Sequence, residues 1–343
     1  MILVIAEKPS VAQSIAKVLG ATSRKDGYME GGNYIVSWCF GHLVELADAS
    51  SYDERYAKWR YDDLPIVPES WMFEVTKDKA QQFKVLSSLM KDKRVTELVC
   101  ATDAGREGEL IFRLVYDKAG CTKPFKRLWI SSLEDSAIRE GFNHLRDGKE
   151  YDRLYEAALS RSKADWIVGI NGTRLFTTLY HKKLVVGRVQ TPTLAMLVER
   201  DGKISTFQKE KYFNVHVGKG DLTADLEKVK TEEEAKRIAA ACEKKQAVVS
   251  SLKRETKTVN PPKLYDLTTL QREANRYYGF TAQQTLDLVQ TLYEKKLLTY
   301  PRTDSQFITD DMEDTARQVI SIVCRQLPLF SLSLIHISEP TRH

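Results

Sequence analysis

The chain has little that would hold a soft metal or a disulfide framework. Its five cysteines, Cys39, Cys100, Cys121, Cys242 and Cys324, form no CxxC pair, and their odd number and scatter suit reduced thiols. The six histidines make no HExxH or HxH, which argues against a histidine–thiolate metal site. No apolar run approaches the ~20 residues of a membrane span, so no membrane association is expected. The opening MILVIAEKPS lacks the basic start and long apolar core of a signal peptide, so the expected location is cytoplasmic. No GxxxxGK[ST] loop occurs, and no nucleotide cofactor is expected. Internal repeats are missing as well.

What is present is an ordinary globular composition, 42% apolar and 29% charged, in 343 residues. That length predicts two or three domains. The net charge of +5, from 52 basic and 47 acidic residues, leans mildly toward polyanions. Residues 1–6 read as a strand, after which Lys8-Pro9-Ser10 turns into a helix. Ser10 with Gln13 is expected to form its capping box, and Gly20 to stop it. Glu97 to Thr102 repeats the pattern: strand, tight turn at Asp103-Ala104-Gly105, then a helix with Leu110, Ile111, Leu114 and Val115 on one side. This predicts an open parallel α/β sheet, Rossmann-like, over residues 1–148. Residues 149–205 read as helical, with Arg161 and Asp165 one turn apart and expected to pair. Residues 206–262 are lysine-rich, with strands expected at Tyr212–Val217 and near Ala247–Leu252, a helix opening at Thr231, and a linker at Pro261-Pro262. Residues 263–326 hold two helices, about 266–278 and 282–296, the second capped by Thr281 and Gln284. The tail, 327–343, has no period and reads as non-native sequence. The fold class expected is therefore multidomain, α/β plus α.

Glu7 and Asp103 each follow a strand, and Glu107 lies four residues after Asp103. Ligands of open α/β sheets bind outside the carboxyl ends of the strands, so three carboxylates can converge there. Hard oxygen ligands without histidine or thiolate favour Mg²⁺. Lys8 and Arg106 add cations able to hold a phosphodiester. The plainer reading is that Asp103 caps a helix and the glutamates are solvated. Far downstream, TYPRTDS puts Tyr300 before Pro301. The proline bars a helix and keeps Tyr300 extended, so Arg302 shares its face. A phenol with a pKa near ~10 is ionised in only about one copy in a thousand at pH 7 and needs help as a nucleophile. Arg302 could grip a phosphate in a bidentate manner, oriented by Asp304. An edge-strand Tyr-Pro turn is the alternative.

IAEKPSVA and ATDAGREGELIF resemble the two acidic motifs of a TOPRIM domain, and TYPRTDS resembles the active-site motif of type IA DNA topoisomerases. The family pattern runs Asp-x-Asp-x-Glu; here Gly105 stands at the middle acid. ALSRSKADWIVGINGTR (158–174) and VVGRVQTPTL (185–194) resemble the family's domain that holds single-stranded DNA. The resemblance implies DNA contacts at Arg161, Asp165, Trp166, Arg174, Val185, Val186, Gly187, Arg188, Val189 and Gln190. For Arg161 and Asp165 an ion-paired scaffold is the alternative, and for Trp166 a place in the core. His42, in GHLVEL, and Trp59 match positions near the family's DNA path. Residues 269–294 resemble the helices preceding its tyrosine, with Gln271 and Gln290 toward DNA or simply exposed. The IAEKPS, DDLPIVP and TYPRTDS forms are similar to the topoisomerase III group.

The resemblance implies an ATP-independent enzyme with four domains: TOPRIM, a helical single-strand binder, a partial β arch and a helical carrier of the tyrosine. Tyr300 and Arg302 would be catalytic, with Glu7 or Lys8 protonating the leaving oxygen and Mg²⁺ on Glu7, Asp103 and Glu107. The partner is single-stranded DNA, with a helicase as a second candidate and the nucleoid as location. The piece is expected to be incomplete, binding single strands but relaxing supercoils poorly. A TOPRIM nuclease or primase and a non-catalytic single-strand binder are the competing functions.

Overall fold

The computed structural model describes residues 1–246, 248–249, 251–260, 262–303, 305–308 and 313–326. Asp304 and the tail from 327 lie outside them, as do Ala247, Ser250, Pro261 and residues 309–312. The chain divides into two units: residues 1–188 with those from 262 onward, and Val189–Pro261.

The first unit runs β1 (Ile2–Ala6), α1 (Pro9–Leu19), β2 (Ser23–Lys25), β3 (Tyr28–Gly31), β4 (Tyr34–Trp38), β5 (Val44–Leu46), α2 (Ala49–Tyr52), β6 (Phe73–Val75), α3 (Ala80–Lys91), β7 (Glu97–Ala101), α4 (Arg106–Lys118), β8 (Phe125–Arg127), α5 (Asp135–Asn143), β9 (Arg146–Asp147) and α6 (Asp152–Tyr180). Seven strands form one sheet in the order β2-β3-β4-β1-β7-β8-β9. The sheet is covered on both faces, which is why β1 is apolar at every position. Leu3 and Ile5 pack with Leu86, Met90 and Phe112; Val4 and Ala6 pack with Val11, Ile15 and Ile138.

The sheet is parallel only at its centre, where β4, β1, β7 and β8 run together. Contrary to the expectation of a parallel sheet, β2, β3 and β9 are antiparallel. Asp26-Gly27 and Gly32-Asn33 explain one edge: both glycines have positive φ, 80° and 56°, and close two-residue hairpins. The capping box expected at Ser10 and Gln13 is also absent. Pro9 takes the first helical position, and Lys8 is the N-cap without a side-chain hydrogen bond. Gly20 ends α1 in the left-handed conformation, as expected.

One register matters most for function. β1 and β7 pair from Ile2 with Glu97 to Ala6 with Ala101. Their carboxyl ends are therefore level, and Glu7 emerges beside Thr102 and Asp103.

The second unit holds α7 (Gln190–Ser205), β10 (Phe213–Lys219), β11 (Leu222–Val229) and α8 (Glu232–Cys242), the last three around Val215, Val229 and Ala235. β10 pairs with β11, not with a strand near 247–252; residues 248, 249, 251 and 252 have no regular structure. Gly220, at φ 59°, closes that hairpin with Asp221, a two-residue turn signal easily lost in a lysine-rich stretch. Thr231 caps α8 through the Glu234 amide, as expected. Back in the first unit, α9 (Leu267–Tyr278) and α10 (Ala282–Glu294) bear out the two expected helices, with the Thr281–Gln284 capping box complete. α11 (Glu313–Gln326) follows.

Candidate active site

Glu7 is 9% exposed, and its Oε2 accepts from the Asp103 amide at 3.2 Å. Burial, then the charge of Asp103, pushes the Glu7 carboxyl up to about 7; Lys8 and Arg302 pull against this. Burial raises Asp103 as well. Two buried acids side by side are costly when both ionise. Mg²⁺ binds through one or two carboxylates plus water and phosphate. The Glu7–Asp103 pair fits such an ion: it offers oxygen donors only, and a cation between them would favour the charged forms. Among the described residues no three His, Cys, Asp or Glu side chains form a metal-holding group. The structure thus brings together two of the three expected carboxylates. Glu107 lines the same cleft, but its Oε1 bonds His42 Nε2 at 2.7 Å, which lowers its pKa.

Tyr300 reaches this acid pair from the other end of the chain. After α10 the backbone runs irregularly, and the Tyr300 amide donates to Ser131 O at 2.9 Å, just past β8. The Tyr300 phenol lies in the same cleft as the Asp103 carboxylate. Burial and the charge of Asp103 drive its pKa upward, opposed by Arg302. The ring stands edge-on to Tyr293, with centroids 5.7 Å apart. Tyr293 is 4% exposed, and no sequence motif marks it as part of the site. Glu7, Asp103, Glu107, His42, Arg106, Arg161, Asp165, Arg188, Tyr300 and Arg302 line one cleft of about 750 Å³. Lys8 sits at its edge, with Nζ 3.9 Å from Glu294 on α10.

The Asp103 turn is close-packed. A Cβ on Gly108 would lie 2.2 Å from the Asp103 carbonyl oxygen. We therefore expect Gly108→Ala to push the turn out of place. It should cost about 1–3 kcal/mol by overpacking and weaken divalent-cation binding; thermal unfolding and a Mn²⁺ titration read the two effects. Gly105, by contrast, has open space where its Cβ would be.

The expected DNA contacts divide. Arg161, Asp165 and Arg188 face the cleft, but Asp165 pairs with Arg188, not with Arg161 as expected. Arg188 Nε and Nη2 meet the two carboxylate oxygens at 2.6 and 3.2 Å, a bidentate fit. Arg174 is 3% exposed, donates to Tyr56 O at 2.7 Å and lies against the Trp59 ring, so it clamps a loop and does not face solvent. Trp166 takes the packing alternative: Nε1 donates to Ala47 O, and the ring meets Tyr52 and Trp71 edge-on. Val186 packs on Gly172 and bonds Thr173, in the same connection as Val185 and Gly187. Val189 and Gln190 belong to the second unit and are exposed. Gln271 donates to Ala282 O and Gln290 to Glu294, contacts within the α9–α10 pair.

An α/β scaffold holding an acid pair at strand ends is a Toprim arrangement, and residues 2–133 match the Toprim domain, a divalent-metal-binding fold. Residues 149–335, more than half of the chain, match the DNA topoisomerase family. The chain belongs to that family, and within it is type IA and topoisomerase III-like. It is 47% identical over 320 residues to DNA topoisomerase 3 of Staphylococcus haemolyticus, covering 92% of this chain and 45% of the relative. It is 46% identical over 323 residues to DNA topoisomerase 3 of Bacillus subtilis, covering 92% and 44%. The fold is similar to full-length topoisomerase I from Thermotoga maritima, with a TM-score of 0.64, 26% identity, and 94% of this chain and 52% of the other covered. The chain thus spans less than half the length of the curated relatives it matches. Among the described residues no helix is long and apolar enough to cross a membrane.

Proposed function

We propose that this chain carries the strand-cleaving centre of an ATP-independent DNA topoisomerase, with Tyr300 as the nucleophile. The observation that carries the reading is that Tyr300, Asp103, Glu7 and Arg302, from opposite ends of the chain, line one cleft. Tyr300 Oη attacks the phosphorus of a single strand while Asp103 accepts the phenolic proton. The bond from phosphorus to the 3′ oxygen breaks, and Glu7, part-protonated near neutral pH, donates a proton to that oxygen. Arg302 pairs with the non-bridging oxygens as negative charge shifts toward the leaving group. The protein keeps the 5′ phosphate on Tyr300, and the 3′ hydroxyl later attacks it to reseal the strand. Because the phosphotyrosine bond conserves the free energy of the broken one, no nucleotide is consumed. After cleavage, with Glu7 and Asp103 both ionised, Mg²⁺ held by the two carboxylates would supply charge screening for the phosphate during resealing.

Arg106, Arg161 and Arg188 line the approach, and with His42 they would hold the strand by its phosphates. We read residues 1–148 as the acid-bearing domain, 149–205 as the strand grip, 206–262 as part of an arch, and 263–326 as the carrier of the nucleophile. Passage of a second strand, a helicase that supplies single strands, and a cytoplasmic, nucleoid-associated setting complete the proposal.

The test traps a single-stranded oligonucleotide, labelled at either end, by adding denaturant in the presence of Mg²⁺. Protein should carry the 3′-end label and release the 5′-end label with a free 3′ hydroxyl. Free 5′ phosphates without protein attached would favour a Toprim nuclease. Salt-sensitive binding with no cleavage would leave a single-strand binder.

A further inference from the structure

We propose that Arg127 and Glu109, a fully buried ion pair behind the cleft, are positioning residues that hold the Asp103 turn in its cation-binding form; this rests on the reading of Glu7 and Asp103 as the cation site. Both side chains are 0% exposed, with Arg127 Nε 3.1 Å from Glu109 Oε2. The pairing of β7 with β8 reaches Cys100 and Arg127 and goes no further. Beyond it, the carbonyls of Thr102 and Asp103 have no strand of the ladder to meet. The guanidinium fills that role: Nη1 donates to Cys100 O at 3.0 Å, Thr102 O at 2.8 Å and Leu128 O at 2.8 Å, and Nη2 to Asp103 O at 2.6 Å. A Cβ on Gly108 would collide with the same Asp103 carbonyl, and the Thr102 hydroxyl donates to Gly108 O at 2.7 Å. Asp103 is therefore gripped through its backbone, leaving its carboxylate to the cleft.

Glu109 in turn links this grip to the helix that lines the cleft. Its Oε1 accepts from Arg113 Nε at 2.9 Å, and Arg113 Nη2 donates to Asp152 Oδ1 at 2.6 Å, at the start of α6. Trp129 covers the Arg127 guanidinium at 5.1 Å. A buried ion pair is a poor way to stabilise a fold, since apolar residues of similar volume often do as well or better. What apolar residues cannot do is donate to the Thr102 and Asp103 carbonyls. Metal-supporting partners of this kind typically change metal affinity by about 10- to 100-fold.

The experiment compares the full chain with Arg127→Met and with the double variant Arg127→Met/Glu109→Met. Mn²⁺ alone is titrated by electron paramagnetic resonance, without DNA. Thermal unfolding and amide exchange at residues 102–105 are measured beside it, with oligonucleotide affinity in EDTA. The single variant should unfold early, because Glu109 Oε2 loses its buried cation and only Arg113, on Oε1, remains. The double variant should regain thermal stability yet bind Mn²⁺ at least about tenfold more weakly, exchange faster at 102–105, and keep its oligonucleotide affinity. A double variant that binds Mn²⁺ like the parent and protects those amides equally would overturn the proposal and leave the pair a merely structural element. Failure of the parent to form a covalent adduct would strike the cleavage mechanism alone, because Mn²⁺ binding is read without DNA.

Discussion

Replacing Tyr300 with phenylalanine should abolish the covalent protein–DNA band, by more than about three orders of magnitude, while single-strand binding stays as it was. The substitution removes one oxygen. It leaves the ring edge-on to Tyr293 and the backbone bond from residue 300 to Ser131, neither of which involves the hydroxyl. The cleft keeps Arg161, Arg188 and Arg302, so the electrostatic hold on phosphates persists. What disappears is the oxygen proposed to attack phosphorus. Tyr293 is a second phenol nearby, but it is 4% exposed and burial raises its pKa, which keeps it protonated. Asp103 should respond too. The Tyr300 hydroxyl lowers its pKa, so the variant should hold the Asp103 proton to higher pH. The measurement is a gel of labelled oligonucleotide after denaturation, beside a binding isotherm in EDTA. A band of undiminished strength in the phenylalanine variant would remove Tyr300 from the chemistry.

Much of this centre was legible in the sequence because it depends on short-range rules. An apolar run ending in Glu7, another ending before Asp103, and a Tyr-Pro-Arg step each have local signatures. The parallel pairing of two such strands puts their ends level, so the Glu7–Asp103 meeting followed from topology. The contacts that hold the centre together were less visible. Arg127 sits in a three-residue strand, Phe125–Arg127, with too few residues to show a period, and a lysine or arginine there reads as exposed. Glu109 lies inside an acidic motif where every carboxylate reads as facing the cleft, yet it points into the core. The Arg188–Asp165 pair joins residues 23 apart in sequence across the turn from α6, whereas sequence spacing favoured Arg161. Trp166 was ambiguous in the same way, serving DNA or packing, while Arg174 was read as a phosphate grip and only its tertiary neighbours show it buried against Tyr56 and Trp59. The antiparallel β2 and β3 follow the two-residue turns Asp26-Gly27 and Gly32-Asn33, signals weaker to the eye than the apolar strands beside them.

Glu7→Gln should make the cation-free protein more stable at pH 8 and less able to cleave. The sign follows from the direction of the shift. The folded chain raises the Glu7 carboxyl from 4.5 to about 7, mainly by burial and then by the charge of Asp103. Below pH 4.5 the carboxyl is protonated in folded and unfolded chains alike, and the wild type suffers no penalty. Between 4.5 and about 7 the folded state binds a proton that the unfolded state has released, so stability falls as pH rises. Above that window the full cost remains, at most about 3 kcal/mol from the size of the shift. Glutamine copies the neutral form and escapes this cost, so the variant's advantage should grow from about pH 5 to about pH 8 in chelator. Mg²⁺ should close the gap by stabilising the wild type, whose two carboxylates can hold it, more than the variant. Cleavage should fall because glutamine has no proton to give the departing 3′ oxygen, a loss of about 10²- to 10⁴-fold for a general acid. Urea unfolding at several pH values, with and without Mg²⁺, measures the first effect; single-turnover cleavage measures the second. Equal stability of the two proteins at pH 8 in chelator would mean that Glu7 carries no strained charge, and the acid pair would lose its claim to a cation.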